Sequence, residues 1–552
     1  MKLSLRLLAT AVATLSLLGP VAAQLRSPGR PLSSTTALSA DVPLVVLPAP
    51  DLARLRAEDE ATEAANVLAP YRYGAAIPVD LGLDTHGRWD EADGKLVWRL
   101  ELRSPGAYSL GVFFDAYEIA PSGQIFLYDP ARADVLGAYD ATTGNASGSL
   151  QIQPLRGDAA VLEYVQDAAD PALPRLHVGQ VIHDYRDVFG RLGASSLAGT
   201  CLTDVNCPQG ASYQDVKRSV IELLIGGSNC SGALLNNRLE DGTPYMLTAN
   251  HCGSMVNAVF VFNFELSGCG SGTSSQAQTL SGATLLEASS RFDSQLYLLN
   301  ETPPQAYTPF YAGWYRGSPP LTGPSVGISH PAGLEKKITT DDQAPIKSGD
   351  FWVVDWEDGQ LLGGSSGSPL FDGAKRVVGP ACCVSTFTCG AQQANYGRFS
   401  GFWNNEPIAQ YLDPQGVGGT TLDGYDPFAP SATAYNGSGL NPSVLTSTTP
   451  PALGTTWTVA IDASAHPAAT LTYLQGRMGS SAGTLFPFGE LLIDFASPFV
   501  FASTAPVSAG LSTHSFALPG NPSFGGLVIY VQAGILGITP AVATNGLRVK
   551  VY

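Results

Sequence analysis

The chain has 552 residues with 44% hydrophobic and only 14% charged positions, together with 60 Gly and 40 Pro. At roughly 100 to 200 residues per domain this predicts about three or four turn-rich β domains and excludes a coiled coil or an acidic disordered chain. The formal charge of −17, from 30 Lys and Arg against 47 Asp and Glu, leaves phosphate-backbone binding without an electrostatic driving force, so nucleic acid is excluded as a partner.

Lys2 and Arg6 precede an apolar run from Leu7 to Leu18, followed by Gly19-Pro20 and small residues to Ala23. Residues 1–23 therefore read as a signal peptide. The run is about a dozen residues where a membrane span needs roughly 20, so the mature protein is expected to be secreted, with no membrane span. Residues 24–71 are a lead-in: 24–50 are rich in Pro, Ser, Thr and Ala without periodicity and are expected to be poorly ordered, and Asp51 to Val67 has the spacing of a short amphipathic helix. Residues 72–191 change to short alternating runs, such as KLVWRLELRSPGAYSLGVFFDAYEI at 95–119 and QIFLYDP at 124–130, which predict a β-sandwich. Residues 192–414 hold further strands and a terminal helix in EPIAQYLDP, 415–428 read as a linker, and 429–552 predict a second, nearly neutral β-sandwich with TWTVAID, LLIDFA, GLVIYVQA and LRVKVY as strands.

All eight cysteines, Cys201, Cys207, Cys230, Cys252, Cys269, Cys382, Cys383 and Cys389, lie in the central segment. In an exported chain that predicts a disulfide framework confined to one domain. Neither paired Cys-x-x-Cys motifs nor HExxH spacing occurs, so no metal and no cofactor is expected.

Three short motifs in this segment carry chemistry: TANHCG at 248–253, RFDSQLYLL at 291–299 and GGSSGSPLFD at 363–372. They supply His251, Asp293 and Ser366. A serine hydroxyl is a poor nucleophile until a base takes its proton, and the base needs an acceptor that fixes its tautomer and stabilises its protonated form. His251 is the candidate base, Asp293 its orienting carboxylate and Ser366 the nucleophile. The small residues around Ser366 allow a tight turn that aims the N–H groups of Gly364 and Ser366 at one point, an oxyanion hole. Singly each piece reads as an ordinary turn, packing histidine or surface acid; the three together in one cysteine-rich segment are far more specific.

CLTDVNCPQG, CSGALLNN, LTANHC, AGWYR, ISHPAGLEKKI, GSSGSPLFD, KRVVG and NYGRF resemble the trypsin-like serine proteases, and more closely the bacterial lysyl endopeptidase family, over residues 197–414. The resemblance implies a central double β-barrel of chymotrypsin type in a mainly β chain, and the triad and oxyanion donors named above. It also implies disulfides joining Cys201 with Cys389, Cys207 with Cys269, and Cys230 with Cys252. Three departures stand out. Where that family places the Asp that holds a substrate lysine, this sequence has Ala394, so lysine specificity does not follow. The strand expected to pair with substrate carries Cys382, Cys383 and Val384 at the pocket, and the two cysteines are open to pairing with each other or to remaining thiols. Ser365 stands where trypsin has an Asp that pairs with its new amino terminus. Asp355, Glu357 and Asp358, upstream of Ser366, leave a basic and an apolar preference equally open.

Residues 72–190 look like the propeptide upstream of such proteases, with GKLVWRLELRSPGAYSLGVFF as core, and cutting is expected between Gly190 and Gly199, with Arg191 as a candidate. The function expected is a secreted serine endopeptidase made as a precursor, acting on protein or peptide substrates. The alternative is a catalytically idle protease fold used for extracellular binding. The last domain is a candidate for surface or matrix attachment.

Overall fold

The computed structural model describes residues 29–65, 68–143, 147–188, 201–317, 320–390 and 392–552; the signal-peptide and 190–199 readings lie outside them. The chain is mainly β and divides into two compact units, Met1–Tyr425 and Asp426–Tyr552.

In the first unit, a six-stranded sheet built on Lys95–Arg103, Ala159–Asp167, Gln124–Tyr128 and Val135–Asp140 faces a four-stranded sheet of Gly74–Gly82, Arg175–Asp184, Ser109–Glu118 and Leu150–Arg156. Alternation explains the pairing of layers: Leu100, Leu102, Leu127 and Leu162 from one sheet and Ile77, Leu110, Val112 and Val181 from the other share one buried core. The lead-in is not structureless. Leu44–Val46 adds a parallel strand against Glu101–Arg103, its backbone taking partners on the sheet edge. The helix Leu52–Ala64 starts at Asp51, whose side chain accepts the Arg54 N–H at 3.0 Å.

Two closed barrels follow. The first sheet runs Thr279–Ser281, Val259–Val261, Val220–Ile225, Ser228–Leu235, Tyr245–Thr248, Ser294–Leu299, Ala283–Ser289. Its two end strands are joined by Gly282 alone, at φ +76, so the sheet closes on itself around Leu223, Met246, Phe260 and Tyr297. The second contains Lys337–Asp341, Ser325–Ser329, Pro369–Phe371, Val377–Val384, Gln392–Gly397 and Phe351–Trp356. It is sealed where the N–H groups of Glu357 and Asp358 donate to the Thr340 carbonyl. A third core, with Leu235, Leu247 and Leu296 from one barrel and Trp314, Ile328, Phe371 and Val377 from the other, packs the two together with Phe399, Phe402 and Trp403 of a terminal helix. The stretch after that helix stays on this unit: Thr421–Leu422 pairs with Trp314–Tyr315.

Disulfides join Cys201 to Cys389, Cys207 to Cys269 and Cys230 to Cys252. The last closes a sequence separation of 22 directly beside His251. Its removal by Cys230→Ala with Cys252→Ala is expected to cost about 3 kcal/mol of stability, checked by denaturant unfolding against the intact chain; an unchanged midpoint would contradict it.

The second unit packs a five-stranded sheet, Ser431–Tyr435, Val542–Lys550, Val528–Leu536, Leu471–Arg477 and Phe499–Pro506, against Leu445–Ser447, Thr456–Asp462 and Leu511–Ala517. Trp457, Val459, Leu474, Val531 and Leu547 fill its core.

Candidate active site

His251 sits in a single 3-10 turn, Asn250–Cys252, that follows the strand Tyr245–Thr248. Cys252 is tied to Cys230 on the neighbouring strand Ser228–Leu235. Asp293 immediately precedes Ser294–Leu299, which pairs with Tyr245–Thr248 so that Thr248 lies opposite Gln295. This register carries the two chain ends past each other and sets Asp293 beside His251. Asp293 adopts φ +45, a left-handed conformation that Asp tolerates better than most residues. The His251 N–H donates to Asp293 Oδ1 at 2.9 Å, and the ring Nδ1 lies 2.6 Å from Oδ2. On the other side of the ring, Nε2 is 2.8 Å from Ser366 Oγ. The three side chains form one unbroken hydrogen-bonded chain.

Burial acts to raise the Asp293 carboxyl, but the bond to the His251 ring, the His251 charge and N–H, and the Cys382 thiol outweigh it and hold it below the ordinary carboxylate range. Cys382 is therefore a further contact of the carboxylate that the sequence did not announce. Cys382 and Cys383 are free thiols with sulfurs 2.6 Å apart. The bond to Cys383, then burial and the Asp293 charge, push the Cys382 thiol up.

The turn holding Ser366 is pinned from both barrels. The Ser231 N–H donates to the Ser366 carbonyl at 2.8 Å and the Ser231 hydroxyl to the Gly364 carbonyl at 2.9 Å. Ser365 receives the Ser329 hydroxyl at 3.1 Å. Gly364 has φ +91, and a Cβ there would stand 2.9 Å from both Asn229 Oδ1 and the His330 carbonyl oxygen. Glycine is thus required by conformation and by space. Its N–H donates at 3.1 Å to the carbonyl of Ala69.

Ala394 is fully buried, paired with Val354 and Val384, in an apolar cluster with Trp352, Trp356, Leu361, Ala381 and Tyr396. The three upstream acids bond elsewhere: Asp355 accepts from Gln393, Glu357 from the Asp342 N–H, and Asp358 from Gln209 and Thr203. His330 stacks on Phe264, its Nδ1 lies 3.0 Å from the Leu334 carbonyl, and burial pushes its pKa down to about 3. It stays neutral and acts as packing.

Behind this turn, Glu222 is fully buried and accepts from Gln276 at 3.0 Å and Asn229 at 3.4 Å. Burial raises its pKa well above 4.5. A raised carboxylate favours the folded state at low pH, and that stability is lost as the unfolded chain ionises while the folded one must hold its proton. Glu222→Gln should therefore gain on the parent chain as pH rises from about 4 to about 7. Thermal midpoints at the two ends of that range check it, and an equal gap at both would refute the assignment.

Residues 195–398 match the family model described as lysyl endopeptidase, C-terminal domain. That segment is protease-related. It contains His251, Asp293 and Ser366. Among solved structures, the inactive form of the Rv3671c protease aligns at 14% identity with TM-score 0.27, over 38% of this chain and 98% of the other. A serine-to-alanine mutant of Rv3671c from M. tuberculosis H37Rv, also in an inactive form, aligns at 16% identity with TM-score 0.26, over 39% and 95%.

Proposed function

We propose that this chain is a secreted serine endopeptidase of trypsin-like type, made as a precursor. The observation that carries this reading is the Asp293–His251–Ser366 chain of hydrogen bonds, at 2.6 and 2.8 Å, lying within a protease-related segment. Ser366 Oγ attacks the carbonyl carbon of a peptide bond as its proton passes to His251 Nε2. Asp293 holds the ring so that Nε2 is free to accept and stabilises the imidazolium that forms. The tetrahedral oxyanion rests on the N–H groups of Gly364 and Ser366. His251 then protonates the leaving amine, the C–N bond breaks, and water activated by the same ring hydrolyses the acyl-enzyme.

Three disulfides suit an oxidising extracytoplasmic compartment, and among the described residues no helix is long and apolar enough to cross a membrane. Residues 72–191 serve as the propeptide and 429–552 as an attachment domain in this reading. Fluorophosphonate labelling of the secreted, processed protein tests it. Modification at Ser366, located by peptide mass, supports an activated serine; a folded, processed protein that takes no label turns the reading to an extracellular binding module.

A further inference from the structure

The donor position at Gly364 is already occupied by the chain itself. Ala69 places its carbonyl oxygen 3.1 Å from the Gly364 N–H, one of the two donors that the proposed mechanism gives to the carbonyl of a bond under attack. Two residues on, Tyr71–Arg72 forms a short antiparallel strand with Ser228–Asn229, the residues just before Cys230. On the other side of Ala69, Leu68 is 3% exposed and belongs to the apolar cluster of Leu361, Ala381 and Ala394. Acyl side in the apolar cluster, carbonyl on the donor, leaving side paired with a strand edge: this is how an extended peptide would cross the site.

The segment is braced. Arg72 donates from Nε to Asp59 Oδ1 at 2.8 Å and from its other nitrogens to Glu58 and the Leu55 carbonyl. Asp59, on the helix Leu52–Ala64, is also held by Tyr185 at 2.6 Å and Arg186 at 2.8 Å. The lead-in helix and the residues just after the last strand of the first sandwich thus fix the leaving side. Pro70 follows the carbonyl in question. Its nitrogen carries a ring carbon instead of hydrogen and its φ is fixed, which crowds the proton delivery from His251 that bond breakage requires.

The geometry points to Leu68–Arg72 as a substrate-like inhibitor in cis, kept uncut by Pro70, and to a cleft that accepts apolar side chains on the acyl side of the scissile bond. The inference rests on the endopeptidase reading. Among the described residues, the acids nearest in sequence to this cluster, Asp355, Glu357 and Asp358, bond elsewhere, and the residue that the chain itself presents to it, Leu68, is apolar.

The test uses the full chain with Pro70→Ala. Cleavage between Ala69 and position 70 is expected by intact mass: Ser366 Oγ acylates on the Ala69 carbonyl carbon, the amine of residue 70 leaves with the proton from His251, and water releases the Ala69 carboxylate. Adding Ser366→Ala should abolish the cut. A second variant, Leu68→Asp, should raise fluorophosphonate labelling of the unprocessed chain by about tenfold or more as the occluded fraction falls. A capped peptide Leu-Ala-Pro-Tyr-Arg should compete with labelling of the processed protein, and its analogue with Lys in place of Leu should compete less well. An uncut Pro70→Ala chain, unchanged labelling in Leu68→Asp, or preference for the Lys peptide would each overturn the inference while Ser366 of the processed protein still labels. Absence of that label would instead overturn the endopeptidase reading on which it rests.

Discussion

Ser366→Ala is expected to lower proteolysis by about 10⁶-fold, the order seen when the nucleophile of such a unit is removed, with folding unchanged. The hydroxyl lies 2.8 Å from His251 Nε2, and alanine deletes only that oxygen. The turn keeps its backbone bonds, from the Ser231 N–H to the Ser366 carbonyl and from the Ser231 hydroxyl to the Gly364 carbonyl. The residual rate would come from the oxyanion donors and binding alone. Cleavage of a casein-type substrate by the processed variant, beside its thermal midpoint, checks both halves. Retention of more than about a hundredth of the activity would leave Ser366 outside the chemistry, because no group lacking a nucleophile supplies that rate.

How far the sequence could be read follows from what each feature is made of. The motifs that supply His251, Asp293 and Ser366 were legible because the proposed chemistry needs particular side chains, and strand register then carries two of them together: Thr248 opposite Gln295 brings His251 past Asp293. The sandwich cores were legible in the period-two alternation of segments such as Lys95–Arg103, which buries Leu100 and Leu102. Three features were not. Ala69 enters the site through a backbone carbonyl, and neither Leu68, Ala69 nor Pro70 bears a side chain that signals chemistry. The parallel strand Leu44–Val46 is a long-range pairing of three residues, too short for any periodicity. The contact between Cys382 and Asp293 was hidden for a third reason: two adjacent cysteines suggest each other as partners before they suggest a carboxylate.

Asp293→Asn is expected to cost about 10⁴-fold in kcat, with KM little changed and stability close to the parent. Asp293 accepts twice from His251, at Oδ1 from the backbone N–H and at Oδ2 from the ring. Its carboxyl is held low by those same bonds, so the acceptor stays ionised throughout the range in which the imidazole must take up a proton. An amide offers one acceptor and one NH₂ donor. If its oxygen keeps the His251 N–H, the NH₂ faces Nδ1 and selects the tautomer with hydrogen on Nε2. That ring cannot take the Ser366 proton. The isosteric change leaves the turn at Asn250–Cys252 tied by its disulfide to Cys230, so the loss would lie in chemistry rather than in folding. Single-turnover acylation with a chromogenic ester, compared with fluorophosphonate labelling, separates the two. A drop in both rates of similar size fits a misprotonated base, whereas a fall in the thermal midpoint with an unchanged acylation rate would assign Asp293 to the fold alone.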